Sequence, residues 1–352
     1  MVNIAGIGLG GLGRRELDIY AEMDDVTIIA GADPADGPRG VFEETHGVPT
    51  YDDYEALLEA HDNELDAVSI VTPHTLHYDQ ARDALTRDLD VFVEKPMVTS
   101  VADAVSLVEL VEERDRTLQV GYQRHFHPAY RQVKELVDSG AIGDIHMVNC
   151  VLGQHWIDLF QDSWRAAPEL SGGGQLYDSG SHLLDTLLWT TGTTPQSVAS
   201  AIDRRDHDAD VNSALAATLD RDGSTVTASI GVTADGTSTS GTEEGLFIWG
   251  TDGRIAFENG RLTTYGKGEG EEDTSTRISL DAEPDFRTLA TSKLRNFVDA
   301  VAGEATPAVP AEFGLQVTAF TEAAYQAYER GERVSIPDLI EEHRPVKSEK
   351  GV

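Results

Sequence analysis

The chain has 352 residues, of which 40% are hydrophobic and 25% charged, enough for about two domains with packed cores. Its 62 acidic residues outnumber 27 basic ones, so the formal net charge is −35. Such a charge repels nucleic acid and anionic membranes, and its spread along the chain suits a cytoplasm rich in salt. One cysteine, Cys150, excludes an internal disulfide and reads as a small core residue. No apolar run reaches the roughly 20 residues of a membrane helix, and no signal peptide is legible. The expected location is cytoplasmic.

The first third alternates strand and helix patterns. Predicted strands run over 2–8, 26–32, 66–71, 90–93 and 117–121. Predicted helices lie between them at 11–23, 52–60, 77–87 and 101–114. The runs at 66–71 and 90–93 are apolar without alternation, as in strands covered on both faces. Alternating βα units predict a doubly wound parallel sheet with ligands outside the carboxyl ends of its strands. The turn after the first strand reads Gly8-Leu9-Gly10-Gly11-Leu12-Gly13, a G-x-G-x-x-G, and Asp33 closes the second strand 20 positions after Gly13. That is the order of a dinucleotide-binding unit: glycines for a tight turn and for close approach of a pyrophosphate, a carboxylate for the ribose hydroxyls. Gly8, Gly10, Gly11, Leu12, Gly13 and Asp33 are therefore the expected cofactor contacts. Asp33 favours NAD over NADP, although Arg39 is close enough in sequence to pair with a 2′-phosphate.

Glu94-Lys95-Pro96 ends the fourth predicted strand, where a lysine projects into the ligand crevice and can polarise a substrate oxygen. From 122 onward the pattern changes. A helix at 129–139, a strand at 145–152 and a helix at 181–190 precede strands at 196–203, 211–219, 224–233, 245–250, 253–258 and 261–265. Residues 266–276 read as a loop, and two helices near 286–302 and 312–330 close the chain. The expectation is an α/β domain over 1–121 and an α+β domain over 122–352 with a largely antiparallel open sheet. The last helices are placed so that they can pack back on the first domain. The open sheet face predicts self-association into a dimer or tetramer.

Gly172-Gly173-Gly174 is followed by Asp178 and His182, which share a helix face at a spacing of four. A carboxylate there can orient the imidazole as a proton acceptor. No metal site is expected.

These motifs resemble the glucose–fructose oxidoreductase/inositol dehydrogenase (Gfo/Idh/MocA) family along nearly the whole chain. Thr72-Pro73-His74-Thr75-Leu76-His77 is similar to its TPxxxH segment, 94–96 to its EKP motif, and 121–128 to its GxxxRF-xP stretch. Trp164-Arg165, the three glycines and Asp178-x-x-x-His182 resemble its WR…GGG…DxGxH run. The resemblance implies a catalytic group of Lys95, Asp178 and His182, with His182 as base. It implies cofactor contacts at Thr72, His77, Glu94, Lys95 and Gln123, and substrate contacts at Arg124, His125, Trp164, Arg165 and Asp185. His125 stands where the family often has Arg, and Gln123 where it often has Asn. The expected function is NAD(P)-dependent hydride transfer to or from a sugar, polyol or related hydroxy or keto compound. A cofactor-binding regulator without catalysis and an NAD-dependent glycosidase are the alternatives.

Overall fold

The computed structural model describes residues 1–236, 242–267, 273–279 and 284–344. Strands β1 (Val2–Ile7), β2 (Val26–Ala32), β3 (Thr50–Tyr51), β4 (Ala67–Ile70), β5 (Asp90–Val93) and β6 (Leu118–Val120) make a six-stranded parallel sheet. Its order, β3-β2-β1-β4-β5-β6, reverses direction between β1 and β4 and opens a crevice there. Helices α1 (Gly11–Tyr20), α2 (Asp36–His46), α3 (Tyr54–Ala60), α4 (His77–Thr86) and α5 (Val101–Arg114) connect the strands. The sequence reading has no helix at α2. Gly37-Pro38-Arg39-Gly40 looks like a turn, but Pro38 falls in the first helical turn, where its missing N–H costs nothing.

The second sheet contains β7 (Ile145–Gly153), β8 (Thr194–Asp203), β9 (Asn212–Arg221), β10 (Ser224–Thr233), β11 (Glu243–Gly250), β12 (Gly253–Glu258), β13 (Arg261–Lys267), β14 (Asp273–Ile278) and β15 (Val334–Ser335). Its nine strands run in the order β14-β13-β12-β11-β7-β10-β9-β8-β15. All neighbours are antiparallel except β7 and β10. β14 corrects the expected loop at 266–276. It is an exposed edge strand of Ser, Thr and Arg, so no hydrophobic alternation marks it.

Helices α6 (Pro128–Asp138), α7 (Trp156–Phe160), α8 (Pro168–Ser171), α9 (Ser181–Thr191), α10 (Phe286–Val301), α11 (Ala311–Arg330) and α12 (Ile336–His343) complete the fold. α12 is a third terminal helix where two were expected. α9 buries Leu183, Leu184, Leu187 and Leu188 in one core with Val148, Leu152 and Phe320. On the opposite face of the second sheet Met147, Val151, Ala214 and Ala216 are exposed. Cys150 is fully buried on β7, and burial pushes its thiol up. α10 leaves the second sheet and packs Leu294, Phe297 and Val298 against Val2, Ile4 and Leu17 of the first unit. No helix among the described residues is long and apolar enough to cross a membrane.

Candidate active site

β1 ends at Ile7, and Gly8 turns the chain with φ +92°. A Cβ at Gly8 would strike the Val71 carbonyl, and one at Gly13 would strike the Gly8 carbonyl. These two glycines are therefore required by the fold itself. A Cβ at Gly10 or Gly11 would meet nothing within 4 Å. Both edge a cavity of about 670 Å³ that extends past Leu12, Asp33 and Thr72 to Glu94, Lys95, Trp164 and Arg165. Asp33 is fixed by two backbone donors: Leu9 N–H to Oδ2 and Ala35 N–H to Oδ1, each at 2.9 Å. Arg39 donates to the Asp33 carbonyl at 2.7 Å and pairs with Asp36. Thr72 is turned aside, its hydroxyl donating to Gln80 at 2.7 Å.

Lys95 stands at the carboxyl end of β5. Its ammonium reaches across to the segment before α9 and donates to Asp178 Oδ1 at 2.5 Å and to the Asp178 carbonyl at 3.0 Å. Trp156 Nε1–H donates to the other carboxylate oxygen at 2.6 Å, and the Arg165 guanidinium lies 3.5 Å from it. Burial would raise the Asp178 carboxyl, but the Lys95 and Arg165 charges and the hydrogen bond from Lys95 outweigh it and hold the group far below the usual carboxylate range.

Asp178 and His182 do share one chain segment, yet the carboxylate does not bond the imidazole. Residues 176–180 form a π-helical turn ahead of α9, and there the ion pair with Lys95 claims the carboxylate. His182 packs edge-on against Tyr122, with ring centroids 5.6 Å apart, and its Nδ1 is buried without a partner. Burial, Lys95 and Arg124 all depress its basicity, so the imidazole is neutral. A neutral half-buried imidazole beside an ammonium can accept a proton while the ammonium polarises the same oxygen.

Residues 2–122 match the NAD-binding Rossmann fold of the oxidoreductase family, and residues 130–256 match the GFO/IDH/MocA C-terminal domain. The rhizopine catabolism protein MocA of Rhizobium meliloti is 30% identical over 72% of this chain and 81% of its own. The chain belongs to the Gfo/Idh/MocA oxidoreductase family. The NADP-dependent D-xylose 1-dehydrogenase 2 of Haloferax volcanii is 28% identical over 94% of this chain and 98% of its own. A levoglucosan dehydrogenase solved with NADH and L-sorbose has the same fold: TM-score 0.84 over 96% of this chain and 100% of that one, at 17% identity. As a Gfo/Idh/MocA member the protein is an NAD(P)-dependent oxidoreductase, and the cavity fits that cofactor. The open side of Gly10 and Gly11 at the start of α1 leaves room for a pyrophosphate against backbone N–H groups.

Several residues that the Gfo/Idh/MocA resemblance assigns to ligand contact are held elsewhere. His77 is fully buried and does not reach the cavity. Its Nδ1 lies 2.9 Å from the Pro96 carbonyl and its Nε2 3.0 Å from the Thr72 carbonyl, and the neutral imidazole donates its one N–H to one of these two cavity-wall turns. His125 and Asp185 face each other at 2.8 Å, both buried, with Trp189 stacked on the imidazole. They brace α9 against the segment after β6 and line neither cavity. Gln123 and Arg124 line a second cavity of about 860 Å³. Arg124 also donates to the His182 carbonyl at 3.3 Å and pairs with Glu244 at 2.6 Å.

Three features had no sequence reading: the Trp156 donor to Asp178, the buried His74 between Ser171 and Trp164, and Lys293 bonded to Glu94. His74 is pushed down to about 3, first by burial and then by Lys95. Its place inside TPxxxH was the one local hint; Trp156 and Lys293 meet their partners only across the fold.

Proposed function

We propose that this chain moves hydride between a nicotinamide and a CH–OH or C=O carbon of a sugar or polyol, with Lys95, Asp178 and His182 as the working group. The observation that carries this reading is Lys95, which lines the β5 end of the glycine-edged cavity and pairs behind it with Asp178, its ammonium acting on a neutral His182; Asp178 and His182 themselves line neither cavity. The bound nicotinamide supplies the hydride acceptor or donor. In the oxidation direction His182 takes the hydroxyl proton. Lys95 steadies the oxygen through its ammonium, and Asp178 holds Lys95 in place with the help of Trp156. Trp164 and Arg165, at the cavity wall, meet the substrate. We assign 1–121 to cofactor binding and 122–352 to substrate binding and self-association, with the exposed face of the second sheet as the contact between copies.

NAD is the preferred cofactor in this reading. Both carboxylate oxygens of Asp33 face the turn, where a 2′-phosphate would add charge against charge. The acidic surface fits a cytoplasm of high salt, so the assay belongs in molar salt. A screen of aldoses, polyols and their keto forms, followed by absorbance of reduced nicotinamide with NAD and NADP, tests each part. Turnover of a polyhydroxy substrate with higher kcat/KM for NAD is expected. No turnover with any of them would overturn the substrate class, and equal or better use of NADP would overturn the role of Asp33. Equal unfolding at low and molar salt would remove the high-salt assignment.

A further inference from the structure

The walls of the cavity hide a second charged group. Lys293 of α10 is 2% exposed, Glu16 of α1 is 0% and Glu94 is 7%. The Lys293 ammonium donates to Glu16 Oε1 at 2.7 Å and to Glu94 Oε1, and lies 5.1 Å from the centre of the Phe92 ring. The remaining oxygens differ. Glu94 Oε2 accepts the Lys95 N–H at 3.2 Å, and Glu94 reaches the cavity. Glu16 Oε2 is buried with no partner, and neither Glu16 nor Lys293 reaches the cavity.

Two carboxylates on one ammonium leave an unbalanced negative charge where water cannot compensate it. The cheaper state keeps a proton on one carboxyl, as like charges sharing a site require. Glu16 is the one to keep it, because Glu94 has a second donor and lies next to Lys95.

We propose that Glu16 and Lys293 are positioning residues which hold Glu94 at the cofactor cavity and carry one exchangeable proton, and that loss of this proton favours oxidised over reduced nicotinamide. The inference rests on the oxidoreductase reading above. With the proton the cluster is neutral; without it the cluster carries one negative charge. The cavity runs from the glycine turn and Asp33 to Glu94 and Lys95, so in a Rossmann crevice the nicotinamide half belongs at the Glu94 end. The oxidised ring is cationic and the reduced ring is not. By linkage, the oxidised cofactor in turn expels the proton.

The groups facing Glu16 are Lys293 from α10, Glu94 from the segment after β5, and Tyr20 on its own helix. Burial raises Tyr20 well above the ordinary phenol range, so it stays neutral. Burial, opposed by Lys293, pushes Glu16 up to about 8.

The test is direct titration of native protein and E16Q with NAD and NADH, without substrate. In native protein the ratio of NADH to NAD dissociation constants should rise roughly five- to tenfold between about pH 6.5 and 9.5, as one partly screened charge predicts. In E16Q the same ratio should change less than about twofold. E16Q reproducing the native profile overturns the inference alone. Native protein that binds neither cofactor overturns the oxidoreductase reading along with it. If E16Q does not fold, proton release by native protein near pH 8 decides: release with NAD and not with NADH supports the inference, and no difference overturns it.

Discussion

In the proposed reaction His182 works by being uncharged. Burial and two neighbouring cations hold its imidazole neutral, so it stays a proton acceptor across the neutral range. His182→Ala should lower turnover about 10²–10⁴-fold while the cofactor dissociation constant stays unchanged, measured by steady-state kinetics and titration. Lys95→Ala should also lower turnover. The double variant should lose less than the product of the two effects, because both groups act on one oxygen. Gly10 gives the opposite separation. Its missing side chain faces open space, so Gly10→Val should fold normally. The branched side chain should nonetheless cost at least about tenfold in cofactor affinity by occupying the pyrophosphate's approach. Unchanged binding by a folded Gly10→Val protein would move the cofactor off this turn.

The elements show where sequence patterns carry information and where they do not. The glycine turn, Asp33, the Lys95 turn and α9 were legible because each is a local arrangement of a few consecutive residues. α2 was not, because Gly37 and Pro38 carry turn chemistry that a helix N-terminus also tolerates. β14 was not, because an edge strand need not bury either face. The pairing of Asp178 went to Lys95 rather than His182 because a cation 83 positions away outcompetes an imidazole four positions away. α10 was expected as a helix able to pack back on the first domain, but its partners there were not legible. Phe297 is fully buried and meets Phe92 at 5.7 Å between ring centroids, fastening a late helix to the first sheet. Phe297→Ala should destabilise the protein by about 3–5 kcal/mol, read as a shift of the denaturant midpoint. Loss of cofactor affinity should accompany it, since Lys293 lies one turn away on the same helix.

For the molecule as a whole, buried titratable groups set the response to pH. His74, His77 and His182 are all depressed, chiefly by burial. In the unfolded chain they take up protons below about pH 6.5, while the folded protein does not, so stability falls as the medium is acidified through that value. Glu16 has the opposite sign. Its folded form keeps a proton up to about 8 while the unfolded form ionises above 4.5, so stability falls as pH rises through that window. Burial also raises the Asp90 and Asp210 carboxyls, which act in the same sense as Glu16 from their unfolded value of 3.8 upward; with Glu16 opposing the three histidines in the neutral window, the maximum falls near about pH 6.5. Tm should decline on both sides of it, and a flat Tm from about pH 5 to 8 would contradict the burial of these groups.

The fastening by α10 also bears on how the chain is made. Ribosomes deliver the first sheet long before residues 286–301, and domains ordinarily fold as they emerge. Here the nascent first unit lacks the apolar cover of Leu294, Phe297 and Val298. It also lacks the Lys293 ammonium that Glu16 and Glu94 share. Its early residues must therefore wait, sticky and electrically unbalanced, for nearly the full length of translation, and chaperones that shield apolar surface have their longest window on this protein before α10 arrives.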